Sequence, residues 1–174
     1  MPTEKACFFS HFTAWQMVIA EGKPVLVLED DAVLSSQVPR LLSHLELIQH
    51  IEHLSLETRH RKKLVGEAMQ LAPGIRLTRL IQDRTGAAAY VLWPIGARLL
   101  CEAAQKNGGA LADAFISNSS NLKSYQVVPA MAIQSDMAEV YGICCDLNTS
   151  SYIQKNGSKA EFKARGLTGV KFKV

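Results

Sequence analysis

The chain has 174 residues, 48% hydrophobic and 20% charged, and its 19 Lys+Arg against 16 Asp+Glu give a formal charge of +3. That length suits one globular domain able to bury a core, and the composition excludes an intrinsically disordered chain. No apolar run reaches the ~18 residues of a membrane-spanning helix, and the N-terminal MPTEKACFFSHF reads as lacking the apolar stretch and cleavage site of a secretory signal. The charge is unevenly placed. Residues 155–174 carry six basic side chains against Glu161, a net of +5, and leave residues 1–154 at −2.

Ser10 is a plausible N-cap for a helix whose stripe is Phe12, Trp15, Val18 and Ile19, stopped by Gly22 and Pro24. On that stripe Trp15 reads as core. The unbroken run Val25-Leu26-Val27-Leu28 predicts a buried strand. A helix over Gln37–Gln49 follows, with Val38, Leu41, Leu42, Leu45 and Ile48 inward and Pro39 in its first turn. Alternation of Ile51, Leu54 and Leu56 with polar neighbours predicts another strand. The basic cluster Arg59-His60-Arg61-Lys62-Lys63 opens a looser region ending at Pro73-Gly74, where a solvated loop is the simplest reading.

Further strands are predicted around Ile75, Leu77 and Leu80, over Ala87–Leu92, and over Tyr125–Val128 before Pro129. Pro94–Lys106 reads as a helix ended by Gly108-Gly109. Alternating helices and strands give an α/β layered domain over residues 1–148. Residues 149–174, rich in Ser, Asn, Gly and Lys, read as a basic, flexible tail. A nucleic-acid binder using the basic tail is a third and weaker reading, since the tail matches no known motif and residues 1–154 are net acidic.

The four cysteines (Cys7, Cys101, Cys144 and Cys145) include no C-x-x-C pair and no neighbouring Cys/His cluster, and the five histidines have no metal-binding spacing. Reduced thiols of a cytosolic protein are the expectation. More informative is Glu29-Asp30-Asp31 at the end of the first predicted strand. Along a strand Glu29 and Asp31 project to one side and Asp30 to the other, at the carboxyl end where open α/β sheets bind ligands. Two carboxylates there are hard oxygen ligands for Mg²⁺ or Mn²⁺. The same triplet is also compatible with a merely polar strand end, with Asp31 capping a turn.

The surrounding residues carry a resemblance. Cys7-Phe8-Phe9-Ser10-His11 with Trp15, then the apolar strand ending in Glu29-Asp30-Asp31, closely resembles glycosyltransferase family 25. Leu56-Glu57-Thr58-Arg59, Gly86-Ala87-Ala88-Ala89-Tyr90-Val91-Leu92, Asp113, and Val128-Pro129 with Gln134-Ser135 resemble later family elements in the right order, so the likeness covers about residues 6–136.

The resemblance implies a GT-A-like (Rossmann-like) layered α/β sheet that transfers a hexose, galactose or glucose, from a UDP-sugar. The acceptor it implies is a lipopolysaccharide, lipooligosaccharide or related glycan, and the chemistry is metal-dependent and inverting. By the same carry-over Asp31 and Glu29 are the ligands of Mn²⁺ (or Mg²⁺), and Ser10, His11, Glu29, Asp30 and Gln134 contact the donor. Asp113 is the candidate catalytic base that deprotonates the acceptor hydroxyl, its alternative being an ordinary helix-end or turn aspartate. Family members carry a strand and helix upstream of the Ser-His element. Only 23 residues precede Pro24 here, so the first βα unit is expected to be absent. A second reading is therefore a shortened, weakly active or inactive remnant that serves as a binding domain. The enzyme is expected in the cytoplasm, with the basic tail giving peripheral contact to anionic lipid at the inner face of the membrane.

Overall fold

A computed structural model describes residues 2–45, 48, 50–83 and 86–143. The tail 149–174 and the Cys144-Cys145 pair lie outside the described residues.

Helix α1 (Pro2–Glu21) begins eight residues before the predicted cap, so Ser10 is not an N-cap. It sits mid-helix, exposed, with its hydroxyl donating to the Ala6 carbonyl at 3.1 Å. The apolar face extends upstream of it: Phe8, His11, Trp15 and Val18 are all buried at alternating three- and four-residue spacing. Gly22, at φ 67°, closes the helix with its N–H on the Val18 carbonyl.

The chain then runs through β1 (Val25–Leu28), β2 (Ala32–Leu34), α2 (Val38–Leu45) and β3 (His53–Ser55). Next come β4 (Leu64–Ala72), β5 (Ile75–Gln82), β6 (Ala89–Leu92), α3 (Pro94–Asn107), α4 (Ala112–Asn118), β7 (Ser124–Val128) and β8 (Ala132–Gln134). Strand β4 lies where the sequence suggests a loose region, while β2, α4 and β8 have no counterpart among the predicted elements. The predicted 37–49 helix is formed over Val38–Leu45, and the strand expected over 51–57 is confined to His53–Ser55.

Six strands form one sheet in the order β1-β6-β3-β7-β5-β4, and β2 pairs with β8 in a separate two-stranded ribbon. The β3/β7 pair is parallel, and the other described pairs in the large sheet are antiparallel. The result is a mixed α/β layered domain.

Period-two alternation sorts the central strands between two cores. Ala89 and Val91 of β6, with Leu54 and Leu56, face the core capped by Val38, Leu41 and Leu45 of α2. Tyr90 and Leu92 face the opposite core, built from Phe8, Trp15 and Val18 of α1 with Ala97, Leu100 and Cys101 of α3 and Ile116 of α4. Helices therefore cover both faces of the sheet. That explains why residues 53–57 are buried throughout rather than on alternate positions. Gly96 sets the distance on the α3 side, since a Cβ there would lie 2.3 Å from the Glu52 carbonyl oxygen.

Candidate active site

Three chain segments meet where β1 and β3 end and β6 begins. The Glu29 N–H donates to the Ala88 carbonyl at 2.8 Å, while the Ala88 N–H donates to Glu57 Oε2 at 2.9 Å. Ala88 thus holds the two glutamates on either side of the start of β6. Immediately after Glu29 the chain leaves the sheet in a turn closed by the Ala32 N–H on the Glu29 carbonyl at 3.2 Å. Asp30 is exposed at that turn, and Glu29 and Asp31 are half-buried.

The two carboxylates are joined across the β2/β8 ribbon. Ala32 is in register with Gln134, and the Ser135 N–H donates to the Asp31 carbonyl at 2.9 Å. Gln134 Nε2 consequently donates to Glu29 Oε2 and Asp31 Oδ2, both at 3.1 Å. The expected grouping of Glu29 with Asp31, apart from Asp30, is present. Its cause is a turn and a cross-strand glutamine rather than strand alternation. Burial raises the pKa of Asp31, reinforced by Glu29 and Asp30 and opposed by the Gln134 hydrogen bond.

On its other oxygen, Glu29 Oε1 lies 3.1 Å from His11 Nε2. His11 Nδ1 lies 2.9 Å from the Tyr90 hydroxyl, which also receives the Trp15 Nε1–H at 2.9 Å. A neutral His11 that donates Nε2–H to the carboxylate has Nδ1 free to accept the Tyr90 O–H, so every polar atom of this buried chain has a partner. Trp15, fully buried as expected for a core residue, is in addition the donor that anchors this chain. Ser10, about 100° around α1 from His11, is not drawn into it.

The absence of a linear Cys/His motif does not preclude a cluster. Cys7 lies one helical turn before His11, and its sulfur, a His11 ring nitrogen and a Glu29 oxygen all fall within 4.8 Å of one another. Burial raises the Cys7 thiol pKa, with further contributions from Glu29, Asp113 and Asp30.

Glu57 belongs to the family likeness but is not among the site residues expected from sequence. It is 1% exposed, and its Oε1 is a buried oxygen with no hydrogen-bond partner among the described residues. Burial pushes its pKa to about 7, with the Ala88 N–H, Lys63 and Arg59 acting in the opposite direction. Gly86 makes room for it: at φ 119°, a Cβ there would stand 2.9 Å from Glu57 Oε2. Arg59 is no solvated loop residue. Its Nη2 donates to Asp136 Oδ2 at 2.8 Å and its Nη1 is 4.0 Å from Glu57 Oε1. Lys63 likewise turns inward, pairing with Asp83 at 2.7 Å and donating to Gln126 Oε1 at 2.6 Å.

Asp113 lies half-buried in the first turn of α4, where its Oδ1 accepts the Ala114 N–H at 2.6 Å. Burial raises its pKa and the Glu29 charge adds to this, while Arg59 and Arg61 oppose. The fold therefore gathers His11, Glu29, Asp31 and Gln134 by direct contact and sets Asp113 within their electrostatic field. Chemically, the cluster offers hard carboxylate oxygens, a raised-pKa carboxyl able to take a proton, and arginine as an anion partner.

A family model described as "Glycosyltransferase family 25 (LPS biosynthesis protein)" matches residues 2–116, a span holding Cys7, His11, Glu29, Asp31, Glu57, Tyr90 and Asp113 but not Gln134. The chain is 27% identical over 143 residues to the lipooligosaccharide biosynthesis protein lic2B of Haemophilus influenzae, a match covering 75% of this chain and 53% of that protein. It is 33% identical over 113 residues to procollagen galactosyltransferase 2 of Mus musculus, covering 62% of this chain and 17% of that one. The chain thus spans about half the length of the first relative and about a sixth of the second.

Proposed function

Because the chain belongs to glycosyltransferase family 25, we propose that the Glu29–Asp31–Gln134 cluster binds the diphosphate of a UDP-hexose through a divalent cation, and that the domain transfers the hexose to a glycan acceptor. The observation carrying this reading is the single amide nitrogen of Gln134, Nε2, which reaches both Glu29 and Asp31 at 3.1 Å. Two carboxylates converge on one donor group there, the kind of point a small cation also occupies. Rotating the Gln134 amide would add a carbonyl oxygen, completing an all-oxygen donor set of the type Mn²⁺ and Mg²⁺ prefer.

Asp31 and Glu29 would hold that ion, whose chemistry when bound is to neutralise charge on the departing nucleoside diphosphate as a Lewis acid. Each protein group then has a task. His11, backed by Tyr90 and Trp15, fixes the rotamer of Glu29. Asp30, exposed at the turn, reaches the donor, whereas Ser10, with its hydroxyl on the Ala6 carbonyl, lies apart from the cluster. Asp113 accepts the proton of the acceptor hydroxyl while that oxygen attacks the anomeric carbon from the face opposite the diphosphate, which inverts the configuration. Its raised pKa strengthens its hold on that proton.

Galactose or glucose as the sugar, and a lipooligosaccharide-type glycan as acceptor, take support from the names of the two relatives, one in lipooligosaccharide biosynthesis and one a galactosyltransferase. None of the described helices is long and apolar enough to cross a membrane. Work at the inner face of the cell membrane would rest on lipid attraction of the basic residues 155–174.

The test is UDP-galactose and UDP-glucose binding and turnover with Mn²⁺, by calorimetry and UDP release. Binding should require the metal, and Asp31→Asn should lower turnover by about a hundredfold or more while leaving the fold intact. No binding and no turnover by the wild type, or an Asp31→Asn variant equal to it, overturns the reading.

A further inference from the structure

We propose that Cys7, His11 and Glu29 form a second cation site, selective for a thiophilic divalent ion of the zinc class. Thiolate, imidazole and carboxylate are the three donor types zinc takes, and three protein ligands with an open fourth position for water is a common arrangement for it. Cys7 and His11 lie at i and i+4 on α1 and present their side chains on one face. Glu29 reaches the same point from the end of β1. The three donor atoms lie within 4.8 Å of one another. Metal–ligand bonds of about 2.0–2.3 Å in a tetrahedron require ligand edges of about 3.3–3.7 Å. The His11 Nε2–Glu29 Oε1 separation of 3.1 Å is already close to such an edge.

The surroundings suit a ligating histidine. Its remote nitrogen faces the Tyr90 hydroxyl at 2.9 Å, and Trp15 Nε1 pins that hydroxyl in turn. An outer partner of this kind fixes ring orientation and strengthens the ligand. On metal entry the Cys7 S–H bond breaks, its proton leaves to solvent, and a sulfur–metal bond forms. The His11 ring shifts its proton from Nε2 to Nδ1, which donates to the Tyr90 oxygen once the Tyr90 O–H has turned away from the ring. Nothing is oxidised or reduced. Glu29, Asp113 and Asp30 supply the negative field that favours the cation over the free thiol.

This set differs from the oxygen set of Glu29, Asp31 and Gln134 in softness, so Mn²⁺ and zinc-class ions prefer different sides of Glu29. The binding claim stands on the donor set alone. Its consequence rests on the function proposed above: a zinc-class ion that draws Glu29 toward Cys7 removes it from the donor site and inhibits transfer.

Cobalt titration of the full chain, with no sugar present, tests the binding claim. Co²⁺ should produce a thiolate-to-metal charge-transfer absorption that saturates at one equivalent. The band should be lost in Cys7→Ser, weakened about tenfold or more in affinity in His11→Ala, and kept in the Cys144→Ser/Cys145→Ser double variant. No band in the wild type, or a band that survives in Cys7→Ser, overturns the site. In a second arm, Zn²⁺ should inhibit Mn²⁺-dependent UDP-sugar turnover, and Cys7→Ser should raise the half-inhibiting Zn²⁺ concentration about tenfold or more. An unchanged half-inhibiting concentration overturns the regulatory link. A chain with the cobalt band but no turnover overturns the transferase reading and leaves the site standing.

Discussion

Replacing Glu57 with glutamine should change how the stability of the domain depends on pH. Burial raises the Glu57 pKa from 4.5 to about 7, so the folded chain holds this proton more tightly than the unfolded chain does. The stability it contributes is therefore full below pH 4.5, is lost as pH rises toward 7, and stays lost above that. A gap of about 2.5 in pKa, at about 1.4 kcal/mol for each unit, makes the loss about 3 kcal/mol. His53 works in the other direction. Burial and then Lys63 lower its pKa from 6.5 to about 3, so the folded ring refuses a proton that the unfolded ring accepts. Its contribution is present above pH 6.5 and is lost as pH falls through about 3.

Between pH 4.5 and 6.5 the two slopes oppose each other and nearly cancel. Stability should form a plateau there, falling on the acid side through His53 and on the neutral side through Glu57. The Glu57→Gln side chain keeps an acceptor for the Ala88 N–H but cannot ionise. Urea unfolding at pH 4.5 and pH 8 gives the test, read as the stability of the Glu57→Gln variant minus that of the wild type. That difference should be about 3 kcal/mol more favourable to the variant at pH 8 than at pH 4.5. An equal difference at both pH values would refute the claim that this carboxyl is buried with an unpartnered oxygen.

Three other outcomes follow from contacts already described. Tyr90→Phe removes the common partner of His11 Nδ1 and Trp15 Nε1 and should cost about 2–4 kcal/mol in chemical denaturation, with weakened Mn²⁺-dependent donor binding as Glu29 loses its support. Gly96→Ala forces a Cβ to 2.3 Å from the backbone oxygen of Glu52, which cannot rotate away, and should destabilise by about 3 kcal/mol or more, seen as a lowered Tm. Gly86→Ala combines a positive-φ penalty with a 2.9 Å contact to Glu57 Oε2, and should cost about 1–3 kcal/mol by urea unfolding.

What is legible in the sequence is local. The Pro94–Lys106 pattern and the Trp15 stripe form the expected helices, and the Val25–Leu28 run forms a strand, but one that is half-buried rather than buried, with Leu28 exposed, because β1 is an edge of the sheet. The misses have long-range causes. Strand β4 has Gly66, Glu67, Ala68 and Gln70 out of the core because it is a sheet edge, so it shows no apolar alternation to read. Glu57 reads in sequence as the outward half of an alternating strand. It is buried because helices from distant parts of the chain cover both faces of the sheet, α2 on one and α1, α3 and α4 on the other. A helix started at Ser10 leaves Cys7 outside it and hides the i, i+4 relation to His11. A helix begun at Pro2 exposes that relation from sequence alone.

Glu29 is where these local and long-range constraints meet. Its Oε1 is engaged by an N–H from His11, and its Oε2 by an N–H from Gln134. Both contacts are donors on a carboxylate, so the group is held centred between two elements without any cation. An ion arriving on the Asp31 side must displace or turn the Gln134 amide, and one arriving on the Cys7 side must displace the His11 N–H. The two events use different oxygens of one carboxylate but pull its plane in different directions. If both proposed sites bind, hard and soft cations would therefore compete at Glu29 through its geometry, even though the ligands that distinguish them lie on separate elements, the β2/β8 ribbon and helix α1.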